Sequence, residues 1–188
     1  MSFTSFKNHF LIAMPGLPDP NFQQAVTYIC EHHENGAMGI VINHPISLTM
    51  KELFTHLDLD IHESIDEKDP LFYGGPVQKE RGFVLHSSDK SWESTMPIAK
   101  GISLTGSKDI LEDIASDNGP EHAIIALGYA GWDAGQLEAE ISANSWLTVP
   151  ADKQIIFEID CDQRWSSAAR KLGIDVNLVS NQTNQKPH

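Results

Sequence analysis

Several things are scarce in this chain, and each scarcity removes a class of function. Cysteine occurs twice in 188 residues, at Cys30 and Cys161, with no Cys-x-x-Cys pair. Cys30 closes an apolar run and reads as a buried reduced thiol. Basic residues are scarce too: 13 Lys and Arg stand against 26 Asp and Glu, for a net charge of −13 and an isoelectric point near 4.9. A phosphate backbone is held by clustered Lys and Arg, and the densest cationic group here is only Arg164, Arg170 and Lys171. Direct nucleic-acid binding is therefore disfavoured. No apolar run is long enough to span a bilayer, and residues 10–14 are too short a core for a signal peptide. The expectation is a soluble cytoplasmic protein with no membrane partner. No G-x-S-x-G, H-E-x-x-H, G-x-G-x-x-G or phosphate loop occurs, so the sequence asks for no cofactor.

What is present is ordinary globular material, 40% hydrophobic and 21% charged. The length suits one domain, expected over residues 1–179. Residues 180–188 carry no apolar anchor and read as a disordered tail. Residues 9–14 read as a strand, followed by a rigid loop with prolines at 15, 18 and 20. Residues 25–33 and 37–43 form a hairpin around Asn35-Gly36. Its end carries Glu31, His32, His33 and Glu34, but adjacent histidines on a strand face opposite ways, so no metal site is read there. Thr49 and Glu52 form a capping box for a helix running to about residue 57. The acidic stretch 58–69 lacks calcium-loop spacing and reads as a solvated loop.

Further on, residues 71–77 and 81–86 read as strands joined through Gly74-Gly75-Pro76, with 102–105 as a third. Ser107 caps a helix that ends before Gly119-Pro120. Residues 122–127 form an apolar strand that passes into a glycine-rich turn at 128–131. Beyond it, Asp133 is expected to cap a helix over 134–145, with Gln136 reaching back. Residues 146–150 and 154–159 read as strands, the latter an edge open to another chain. Trp165, Ala168, Ala169 and Leu172 mark a last amphipathic helix, 163–172, stopped by Gly173. Seven to nine strands, several consecutive, and four helices predict an α+β fold with a mainly antiparallel sheet.

A strand that ends in a glycine turn before a capped helix is a common place for a site. The candidate binding surface is therefore Gly74, Gly75, Gly128 and Gly131, with Arg81, His86, Trp132, Gln136 and Asn144. Freed amides, one guanidinium and an aromatic wall suit a small anion or a partner's peptide. The plainer reading is structural: an internal ion pair for Arg81, a hydrogen-bonded His86, and Trp132 packing the following helix on the sheet.

The segments FLIAMPGLPDPNF (10–22), YICEHHENGAMGIVINHP (28–45), YGGPVQKERGFVLH (73–86) and GYAGWDAGQLEAEISANSW (128–146) closely resemble the AlgH/YqgE family of bacterial proteins. The resemblance spans nearly the whole chain. It implies a single α+β domain whose sheet curls into a pseudo-barrel with helices outside. It also implies the family's label of transcriptional regulator, with a role in alginate production in some bacteria, but no biochemical activity. Three functional readings follow. The missing signatures favour a non-catalytic binding or regulatory module. The alternative is an enzyme acting on a small molecule near the glycine-rich turns, with His86, His32, Cys30 and Glu138 as its candidates. A direct nucleic-acid regulator is the reading that charge disfavours.

Overall fold

The structure is a computed structural model and describes residues 3–14, 24–66 and 68–173. Asn35-Gly36 joins β2 (Val26–His33) to β3 (Gly36–Val41) as an antiparallel hairpin, as the turn chemistry predicts. Around it lie β1 (His9–Ala13), β4 (Pro45–Thr49), β5 (Pro70–Tyr73), β6 (Val77–His86), β7 (Met96–Ala99), β8 (Ile102–Thr105), β9 (Ala123–Asp133) and β10 (Trp146–Pro150). The main path is β10-β1-β2-β3-β9-β6-β8-β7, with β5 on β9 and β4 on β5. Only β5·β9 is parallel, so the described sheet is mainly antiparallel, and it does not close.

Strand alternation sorts the core. Phe10, Tyr28, Cys30, Ile40, Phe83, Leu85, Ile124 and Val149 point to one face, where strands from β10 to β7 share a single cluster. On the opposite face, Leu11, Ile29, Val41, Ala130 and Trp132 pack under α3 (Gln136–Ser142). Beside them, Leu71, Val84 and Ile125 pack under α1 (Met50–His56) and α2 (Lys108–Ala115). Strands β1 and β2, the second halves of β3 and β6, and the first half of β9 are thus buried on both sides. That explains why Ile29 breaks the polar alternation of β2: no face of that strand meets water there.

Two helices, α4 (Lys153–Phe157) and α5 (Arg164–Arg170), pack against the first cluster through Ile155, Ile156, Trp165, Ala168 and Ala169. Arg164 staples them down. Its Nε donates to the carbonyls of Ile155 at 3.1 Å and Ile159 at 3.2 Å, its Nη1 donates to that of Ile42, and its guanidinium lies 5.2 Å from the Phe72 ring.

Four local expectations need correction. Residues 128–131 are not a turn: β9 runs straight through them to Asp133. The helix after it starts at Gln136, with Gly135 rather than Asp133 at its cap, although Gln136 Oε1 does accept the Asp133 N–H at 3.0 Å. Residues 154–159 are not an edge strand. Asp152 accepts the Gln154 N–H at 2.9 Å and opens α4 instead. Short strands β4 and β7, each carrying a proline, join the sheet where no strand was expected. The proline loop beyond Met14 and the tail 180–188 lie outside the described residues.

Candidate functional site

The glycines at 74, 75 and 128 serve a strand crossing. A Cβ on Gly74 would stand 2.3 Å from the Gly128 carbonyl oxygen, and one on Gly75 2.1 Å from the Tyr129 carbonyl carbon. Gly128 has φ of +80°, and its Cβ would meet the Gly75 oxygen at 2.4 Å. Their polar groups are partly spent inside the sheet: the Gly74 N–H reaches Leu127 O at 2.8 Å, and Gly74 O accepts from Val41 N at 2.9 Å. The left-handed Gly128 also shifts the alternation of β9. Ile124 and Ala126 face the first cluster before it; Tyr129 does so after it, while Ala130 and Trp132 turn to the opposite face.

That shift builds a cleft. Tyr129 and Gly131 come onto the same face as Met38, which pairs across from Gly131, and beside Val77, which pairs across from Tyr129. Tyr129 meets the Phe83 ring edge-on at 5.7 Å, and the Arg81 guanidinium lies 4.9 Å from that ring. The cleft has a volume of about 640 Å³ and a rim of Glu31, His33, Asn35 and Asp133. Arg81 is exposed, and its Nη1 donates to Gln78 Oε1 at 3.4 Å. The carboxylate partner expected for it is not found among the described residues.

Of the nine candidate residues, Arg81, Gly131 and Trp132 line this cleft. The Trp132 ring itself belongs to the opposite face. It packs edge-on to Trp146 at 6.4 Å, and both indole N–H groups point at Glu140 Oε1, at 3.4 and 3.3 Å. Gln136 and Asn144 are exposed at the two ends of α3. His86 is fully buried elsewhere in a directed chain. Its Nδ1 donates to Ser87 O at 2.7 Å, so the neutral ring accepts at Nε2 from Thr105 Oγ1, also at 2.7 Å. Thr95 Oγ1 in turn lies 2.7 Å from Thr105 Oγ1 and accepts from Trp92 N at 2.6 Å. Burial lowers the His86 pKa, against the opposing pull of the Ser87 carbonyl and Asp89.

The four enzyme candidates do not converge on the cleft. Cys30 is fully buried, and desolvation, with Glu31 adding to it, drives its thiol pKa upward and away from thiolate chemistry. His32 and Glu138 do meet, on the α3 side of the sheet: Nε2 of His32 is hydrogen-bonded to Glu138 Oε1. His32 Nδ1 accepts the Phe6 N–H at 2.8 Å, and the rings of Phe3 and Phe6 lie against it. Both ring nitrogens are occupied, so the pair ties the N-terminal segment and α3 to β2 and has no free base. No group of three His, Cys, Asp or Glu placed to hold a metal ion occurs among the described residues. No described helix is long and apolar enough to cross a membrane.

Sequence reasoning passed over Met38, Val77, Phe83 and Tyr129, the apolar floor, and gave Glu31, His33 and Asp133 only local turn and cap roles. Nothing local marks them; only the register of β2, β3, β9 and β6 brings them together.

The chain is similar along almost its whole length to known proteins. A UPF0301 protein of Thioalkalivibrio sulfidiphilus is 56% identical over 94% of this chain and 95% of its own length. The solution structure of the AlgH protein of Pseudomonas aeruginosa is 47% identical, covers both chains completely and superimposes with a TM-score of 0.79. A crystal structure of a Corynebacterium diphtheriae protein shares the fold alone, at 18% identity over 96% of this chain and 94% of that one, with a TM-score of 0.72. The profile of the AlgH-like family matches residues 10–177, and the chain belongs to that family.

Proposed function

We propose that this chain is a non-catalytic binding module that takes a carboxylate-bearing small molecule in the Arg81 cleft. One observation carries the reading: an exposed guanidinium with no ion-pair partner among the described residues lies on an aromatic floor, in a chain of net charge −13. In so acidic a protein an arginine has many carboxylates available, so one that pairs with none among the described residues is open to a ligand. Its fork matches a carboxylate with two parallel hydrogen bonds. The enzyme reading needs at least two of His86, His32, Cys30 and Glu138 at the cleft, and none of them lines it.

A regulatory role then runs through the ligand and a protein that reads the bound state, because the acidic surface opposes a phosphate backbone. Two free cysteines suit a reducing compartment, and we take the chain to work in the cytoplasm. The test is a thermal-shift screen of wild type and Arg81→Ala against a library of metabolite carboxylates. A ligand at a hundredfold its dissociation constant adds about 2.7 kcal/mol, an easily seen shift. Arg81→Ala is expected to melt with the wild type and to lose the shift. A flat screen on folded protein, or a hit indifferent to Arg81→Ala, overturns the reading.

A further inference from the structure

The charges around the cleft are arranged in opposition. Arg81 stands on the β6 side. Across from it, Glu31 on the far strand β2 pairs with Met38, and Asp133, at the end of β9 beyond the stretch that pairs with β6, pairs with Gly36. Tyr129, Gly131 and Asp133 alternate along β9, so the Asp133 side chain shares the face of the cleft floor, and Glu31 shares it through Met38. Neither carboxylate has a cationic partner among the described residues. Apart from His33, the lining thus carries one fixed positive charge and two negative ones. A simple anion such as phosphate would gain Arg81 and face two carboxylates. A ligand with a cation at its other end would be met at both.

Between the charges the floor is apolar and open. Gly131 is exposed at its centre, where a Cβ would sit 3.5 Å from the Tyr129 ring and 3.9 Å from Val77. Those are ordinary contacts, so the missing side chain leaves space that any larger residue would occupy. The span can be gauged from the sheet. β2 and β6 are separated by β3 and β9, so their backbones lie roughly 14 Å apart at about 4.8 Å per strand. Side chains reaching inward from both sides shorten the gap. An extended peptide gains about 3.3 Å per residue, so two or three residues bridge it, whereas the charges of a single amino acid sit too close together.

Resting on the reading of the Arg81 cleft as a binding site, we infer that its ligand is a short peptide of two or three residues with both termini free. The C-terminal carboxylate pairs with Arg81, the N-terminal ammonium sits between Glu31 and Asp133, and an apolar side chain lies over Gly131 against Phe83 and Tyr129.

The probes are Ala-Phe-Ala and Ala-Leu-Ala, each free, N-acetylated and C-amidated, titrated calorimetrically into the full chain. The free peptides are expected to bind, and either cap to weaken binding about tenfold or more, the worth of one charge-assisted hydrogen bond. Arg81→Ala should weaken the free peptide to the level of the amide and leave the amide unchanged. Glu31→Gln combined with Asp133→Asn should do the same for the acetylated form. Gly131→Leu should abolish binding while its far-UV spectrum and melting stay those of a folded protein. Equal affinity of free and acetylated peptides would overturn the zwitterion while leaving a carboxylate site standing. So would an Arg81-dependent metabolite carboxylate alongside peptides that do not bind. Failure of every carboxylate and every peptide on folded protein would sink both readings.

Discussion

Gly128 and Gly131 are three residues apart on one strand, and the structure gives them opposite sensitivities. Gly128 has φ of +80°, a conformation that costs an ordinary residue about 1–2 kcal/mol. Its added Cβ would meet the Gly75 oxygen at 2.4 Å, the Val77 oxygen at 3.1 Å and the Lys79 Cα at 3.3 Å. All three are backbone atoms, so no side chain can swing away, and the β5–β6 connection has to lift off β9. That lift strains the bonds Gly74 N to Leu127 O and Val41 N to Gly74 O, each worth about 1 kcal/mol net. Gly128→Ala is therefore expected to destabilise by about 3–4 kcal/mol, a large part of a typical 5–15 kcal/mol. Gly131→Ala meets nothing closer than 3.5 Å and needs no positive φ. It is expected to be neutral or to stabilise by about 0.5 kcal/mol, since Gly weakens a strand interior. Urea denaturation separates the two. With slopes of about 1–3 kcal/mol per molar, the midpoints should differ by more than about 1 M. Midpoints that coincide would refute the assignment of Gly128 to the strand crossing and of Gly131 to an open floor.

His86 sets an acid limit to stability. Its folded pKa lies below the ordinary 6.5, so as pH falls through 6.5 the unfolded chain takes up the proton first and stability drops, while above 6.5 the group has no effect. Denaturation from pH 8 to pH 5 should show a loss in wild type that is smaller in His86→Gln, and an identical loss in both would refute it; an imidazole NMR titration of His86 at or above 6.5 would refute it as well. Trp132→Ala should cost about 3–5 kcal/mol as a large-to-small core change, because the ring is 7% exposed and packs on Trp146, while Trp132→Phe should recover most of it. Unchanged melting with lost ligand binding would instead move the ring into the site.

Much of the fold was legible because local chemistry and tertiary packing agree there. Asn35-Gly36 turns a hairpin, Thr49 caps α1 by accepting the Glu52 N–H at 3.2 Å, and Gly173 ends the last helix with φ of +76°. The errors fall where local signals were outvoted. Ile155, Ile156 and Phe157 have strand propensity, but Asp152 starts a helix and the first cluster needs Ile155 and Ile156 on a helical face. At residues 128–131 two glycines looked like a turn. The strand persists because β5 and β6 pair with β9 up to Leu127, β6 again at Tyr129 and β3 from Ala130 on, so the left-handed Gly128 is held as an irregularity within the strand.

The site was less legible than the fold, and for a physical reason. Glycine reports that a backbone needs room, but not what fills the room. At Gly74, Gly75 and Gly128 the backbone of another strand fills it; at Gly131 no described atom comes nearer than ordinary contact distance, 3.5 Å. A single sequence holds no sign of that difference. Likewise Glu31, Arg81 and Asp133 lie up to 102 positions apart (133 − 31), and each has a plain local role. Their opposition across one floor exists only once Gly128 has shifted the alternation of β9 and brought Tyr129 against the edge of the Phe83 ring that Arg81 covers. The glycine that made the stretch conspicuous is thus outside the cleft it creates, and the one beside it, with ordinary backbone geometry, is where a ligand would lie.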